Sequence, residues 1–162
     1  MPTLRGDYRL AERYLGTDPD SDFTKAITLA GLLRAGKKAE ALRLGAPHIR
    51  QWPTYEMLIA CAQHEPAGDI AAMAAKVQVS GDPEANYLAS ANLAYCGQNE
   101  KALWLLSKAV EGHYCSYPLM DADSFFAGLR GTADFAKVRE AGVACQQKFS
   151  SQWQRIQQQS SR

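Results

Sequence analysis

Nothing in this sequence makes a sheet. No stretch alternates β-branched and polar residues as a half-buried strand does, and Ala and Leu abound instead. No apolar run approaches the roughly 18 residues of a membrane span. The opening MPTLRGDYRL has no apolar core of the signal-peptide kind. Neither sign of charge prevails: Lys and Arg number 18 against 17 for Asp and Glu. Residues 1–81 carry ten basic and nine acidic side chains, and residues 82–162 carry eight of each. The basic stripe of a nucleic-acid footprint is therefore missing. Walker, G-x-G-x-x-G and G-x-S-x-G motifs are all absent.

Cysteine is scarce and scattered. Cys61, Cys96, Cys115 and Cys145 form no C-x-x-C. The spacing is that expected of free thiols in a reducing compartment, acting as small core side chains, and it points to the cytoplasm. Cys61 with His64 and His113 with Cys115 could in principle supply four zinc ligands. However, the first pair has the spacing of one helix face and the second lies about 50 residues further on. Neither a metal nor a cofactor is expected. His113 and Cys115 have no identifiable orienting residue for nucleophilic chemistry. Asp121 and Asp123 in LMDADSFF are better placed to cap the turn at Ser124-Phe125-Phe126 than to act as an acid–base pair.

What is present is a phrase that recurs: GDYRLA, GKKAEA, PAGDIA, GQNEKA and GTADFA. Its first residues are Gly6, Gly36, Pro66, Gly97 and Gly131; its last are Ala11, Ala41, Ala71, Ala102 and Ala136. Both series step by 30, 30, 31 and 34. A period in this range marks a repeat protein. Gly or Pro before a helical run is a turn opening a helix, and a small residue one turn inside lets a neighbouring helix approach. Asp82-Pro83-Glu84 is a strong helix start, and Asn99-Glu100 and Thr132 are further capping candidates.

These signals predict an all-α chain. Helices are expected over about 7–15, 21–35, 38–51, 54–64, 68–79, 83–96 and 99–112. A loop with one short helical turn follows over about 113–130, then a long helix from about 132 to 157. With 46% hydrophobic and 22% charged residues over 162 positions, one globular domain is expected. It divides into a half repeat (1–20), repeats at about 21–52, 53–81 and 82–115, a capping unit (116–158) and a disordered tail (159–162). GDYRLA leaves no room for a preceding helix. The chain is therefore expected to begin halfway through a repeat, as a piece of something longer or as a lone capping helix.

GQNEKALWLLSKAVEG (97–112) resembles the second half of a tetratricopeptide repeat, with Gly97, Ala102, Leu106 and Ala109 in the family's Gly, Ala, large apolar and Ala positions. GKKAEALRLGAPHIRQWP (36–53) is similar through Gly36, Ala41 and Pro53. SYPLMDADSFFAGLRGTADFAKVR (116–139) resembles the last unit of tetratricopeptide arrays in multidomain bacterial regulators. The resemblance implies an α-solenoid of stacked helix–turn–helix repeats with a long C-terminal capping helix. It also implies a concave groove lined by the first helix of each pair. Its implied lining is Phe23, Ala26, Ala30, Leu33 and Arg34, then Glu56, Ala60, Gln63 and His64, then Tyr87, Ala91, Ala94 and Tyr95. Within this set Arg34, Gln63, His64, Tyr87 and Tyr95 are the candidate protein-binding residues. Ala26, Ala30, Glu56 and Ala60 stand where a carboxylate clamp would put Lys and Asn, so no such clamp is expected.

A second candidate surface lies on the last helix. Phe135, Val138, Gly142, Cys145, Phe149, Trp153 and Ile156 step by 3, 4, 3, 4, 4 and 3, which is one apolar seam. Trp153 and Ile156 are expected to stay exposed unless a neighbour covers them. The functional expectation is a non-enzymatic module binding a peptide or a partner domain, whether separate or of its own longer chain, as a monomer or weak homodimer. The alternatives are assembly through the terminal helix, or small-molecule sensing within a bacterial regulator.

Overall fold

The computed structural model describes residues 18, 20–44, 52–115 and 117–160. All their regular structure is helical, and no strand occurs among them. The order is α1 (Asp22–Arg34), α2 (Lys38–Leu44), α3 (Pro53–Gln63), α4 (Ala67–Lys76), α5 (Pro83–Tyr95) and α6 (Asn99–Glu111), then α7 (Tyr117–Ala122), a 3₁₀ turn (Ser124–Phe126) and α8 (Ala133–Ser160). The phrase GDYRLA, the helix expected near 7–15 and the end of the one expected over 38–51 lie outside the described residues.

Three-residue connections join α1 to α2, α3 to α4 and α5 to α6, and each pair packs together. Neighbouring pairs meet through α2 on α3 and α3 on α5. Helix α8 packs on α6 and α7, and the 3₁₀ turn packs on α5. The core is filled by large side chains closed off from solvent, among them Leu29, Leu58, Leu106, Met120, Phe126 and Phe135.

The turns show what the recurring phrase encodes. Gly36 and Gly97 both adopt left-handed backbone, with φ of 74° and 71°. Each ends its helix in a Schellman motif: Lys37 N–H donates to Leu32 C=O at 2.8 Å, and Gln98 N–H donates to Leu93 C=O at 2.9 Å. The same motif recurs where glycine is absent. His64 (φ 61°) is followed by Glu65 N–H donating to Ala60 C=O at 3.0 Å, and His113 (φ 71°) by Tyr114 N–H donating to Ala109 C=O at 2.9 Å. Both histidines thus hold turn positions that favour glycine. His64→Gly is expected to raise stability by roughly 0.5–1 kcal/mol through relief of left-handed strain. A urea midpoint lower than wild type would contradict this.

The closing alanines divide. Ala41 and Ala102 are fully buried, as a close helix approach requires. Ala71 and Ala136 are exposed, and Ile70, Ala74 and Phe135 are buried in their neighbourhood. The reason for the middle unit is where the left-handed residue falls in its turn. His64 comes first in its three-residue connection, whereas Gly36 and Gly97 come second in theirs, so α4 starts one position later relative to that residue. Caps follow the expected chemistry at Asp82, which accepts from Glu84 N–H at 2.9 Å, and at Thr132, which accepts from Phe135 N–H at 3.2 Å. They do not at α6, where Gln98 precedes the helix and makes no side-chain cap bond.

The cysteines overturn the free-thiol expectation. Cys61 is bonded to Cys96 and Cys115 to Cys145, with Cα–Cα distances of 5.5 and 5.2 Å. The first bond ties α3 to the end of α5. The second ties the connection after α6 to α8. Cystines persist in oxidising compartments, so the thiols no longer support a reducing one. No helix among the described residues is long and apolar enough to cross a membrane.

Candidate functional site

Arg34 ends α1 with its side chain turned inward. Its guanidinium meets the Asp123 carboxylate in a bidentate pair: Nε donates to Oδ1 at 2.8 Å and Nη2 to Oδ2 at 3.0 Å. Both side chains are closed to solvent, at 4% and 0% exposure, so this is a buried ion pair. The same guanidinium lies 4.0 Å over the Phe125 ring. Ser124 Oγ donates to the Arg34 carbonyl at 3.3 Å. The turn Asp123–Phe126 thus reaches across 89 sequence positions to the end of α1.

Asp123 also shapes its own turn. Its Oδ1 accepts from Phe125 N–H at 3.1 Å, which is the capping role its sequence position suggests, and Arg130 Nη2 donates to its carbonyl at 2.5 Å. Asp121 does something else: Arg139 Nε and Nη2 donate to its two oxygens at 2.7 Å each. Those hydrogen bonds hold the Asp121 carboxyl below the usual carboxylate range. A depressed carboxylate stabilises the fold above its unfolded pKa, and that contribution fades as pH falls through the folded value. The pair is exposed, so the contribution is small.

Two expected groove tyrosines join this cluster. The Tyr95 ring is 4.6 Å from that of Phe125, and burial pushes its phenol up. Tyr87 is fully buried, with its ring 5.7 Å from Phe126 and 5.2 Å from Tyr114. Burial first, and then the Asp123 charge, raise its phenol far above the ordinary tyrosine range. Its hydroxyl feels that charge without a hydrogen bond of acceptable geometry.

Arg34, Tyr87 and Tyr95 are therefore brought together, but around the chain's own turn. The remaining expected site residues lie elsewhere. Gln63 is exposed at the end of α3, and His64 Nε2 stands 2.7 Å from Lys38 Nζ at the surface. Trp153 and Ile156 are each 54% exposed on α8, and Phe149 beside them is 58% exposed. No protein-family model, curated protein or solved structure matches this chain.

Asp123 is the residue missed as a partner for the inner face. Local pattern explains it completely as a cap, and only the tertiary fold shows its second role. Ala26, Ala30, Ala60 and Ala91 on the first helices are buried in packing. Phe23 stands 52% exposed on α1.

Proposed function

We propose that this chain is a non-enzymatic protein-interaction module. Its helical pairs are read as a solenoid resembling tetratricopeptide arrays, and its partner surface lies on α8 rather than in the inner groove. The observation that carries this reading is the division of the two candidate surfaces. Arg34, Tyr87 and Tyr95 are engaged by Asp123, Phe125 and Phe126 of the same chain, whereas Phe149, Trp153 and Ile156 leave more than half of each side chain in solvent. Aromatic side chains of that kind are what interfaces bury at their centres.

Charge favours a partner other than a second copy. After Glu140 the sequence holds Lys148, Arg155 and Arg162 and no acid. Two such tails side by side repel, whereas an apolar helix flanked by Asp and Glu is attracted. Arg34 and Asp123 at the inner face satisfy each other, which is a reason to read it as structure rather than catalysis.

A photo-crosslinking residue at position 153, used in extract of the source organism, tests the assignment beside a sizing measurement. The expected result is a cross-linked acidic-flanked protein, lost in Ile156→Glu, with the purified chain running at its own 17.8 kDa mass. Cross-links from position 153 to a second copy, with doubled mass, would instead favour assembly through α8. A partner captured from position 95 and not from 153 would return the site to the groove.

A further inference from the structure

Helix α8 leaves the body of the molecule part-way along its length. Phe135 near its start is buried, and Val138 is partly covered. Gly142 lies so close to Tyr117 and Met120 that an added Cβ would meet each of their side chains at 3.3 Å. Cys145 is the last seam residue packed against the core, and Phe149, Trp153 and Ile156 beyond it are exposed. Where the packing ends, the covalent tie begins, because Cys145 is bonded to Cys115.

That bond is reachable. Cys115 and Cys145 both line an open groove of about 600 Å³, together with Val110, Ala144 and Phe149. Beyond it, residues 151–159 are all exposed. Fifteen residues of helix with a polar majority are marginal on their own in water.

We propose that the Cys115–Cys145 bond is a redox-operated clamp that anchors the root of the projecting half of α8 and so sets whether residues 146–160 stay helical. A small thiol such as glutathione or a dithiol supplies the electrons. Its thiolate attacks one sulfur, the S–S bond breaks, and the other cysteine leaves as thiolate and takes up a proton. A second reductant thiolate then releases the mixed disulfide. Two cysteine thiols and one reductant disulfide result. The other cystine is not expected to act this way. Cys61–Cys96 joins α3 to the end of α5, and those two helices pack on each other directly. The clamp requires no partner, so it stands or fails separately from the interaction reading.

Hydrogen exchange followed by mass spectrometry on the whole chain tests it. Four samples are compared: oxidised protein, protein in dithiothreitol, Cys115→Ser/Cys145→Ser, and Cys61→Ser/Cys96→Ser. Opening the clamp is expected to speed exchange over 146–160 by roughly tenfold or more while leaving 83–111 protected. That change should appear in Cys115→Ser/Cys145→Ser and, over 146–160, in the reduced protein, and not in oxidised Cys61→Ser/Cys96→Ser. Equal exchange over 146–160 in oxidised protein and Cys115→Ser/Cys145→Ser would overturn the clamp. So would loss of protection along the whole chain in that variant, since the bond would then hold the fold and not the helix. Should that variant not fold, adding dithiothreitol to oxidised Cys61→Ser/Cys96→Ser decides the matter by the same two regions.

Discussion

Asp123→Ala is expected to cost about 3–5 kcal/mol of folding free energy. The carboxylate it removes is fully buried and is the bidentate partner of Arg34, itself 4% exposed. Without it the guanidinium stays in the interior with no opposite charge. The cap on Phe125 N–H is lost as well. Much of the cost comes from the stranded charge and not from the worth of the pair. The paired replacement Arg34→Met/Asp123→Leu should therefore recover most of the loss. Urea unfolding of the two single variants and the pair measures this as a coupling energy. A loss below about 1 kcal/mol for Asp123→Ala would put the pair in solvent and the turn away from the inner face.

Removing the Cys61–Cys96 bond should be nearly as costly. The bond closes a loop of 35 residues, and the chain-entropy model then gives about 3–4 kcal/mol. For a chain of this length that lowers Tm on the order of 10 °C. Cys61→Ser/Cys96→Ser, heated beside the oxidised wild type, provides the measurement. Thiol titration of the unfolded protein without reductant provides a simpler one: no free thiol is expected. Four reactive thiols would show that the cysteines serve as core side chains after all.

The helices were legible because their ends are written locally. Gly36 and Gly97 need left-handed backbone, Asp82 and Thr132 cap, and Pro83 opens α5. The seam of α8 was legible from its spacing, down to the exposure of Trp153 and Ile156. The middle unit was harder. His64 takes the turn position one place earlier in its connection, and the buried set shifts from Ala71 to Ile70 and Ala74.

The inner face was half legible. The sequence pointed to Arg34, Tyr87 and Tyr95, yet their occupant is a turn that already had a sufficient local role. No sequence pattern links residues 34 and 123. The cystines did leave a signal. Their spacings of 35 and 30 are close to the steps of the recurring phrase, and residues one period apart in stacked helical units lie side by side.

The closure of the inner face by the 123–126 turn is tested most directly by a nitroxide at Ser124→Cys, an exposed position, in the oxidised protein. Paramagnetic broadening in NMR spectra should then erase the amide signals at the end of α1, around Leu33–Gly36. It should also erase those at the end of α5, around Ala94–Gln98, and leave α4 intact. Sharp signals from the end of α1 would contradict the account, because the groove would then be open to a ligand from outside.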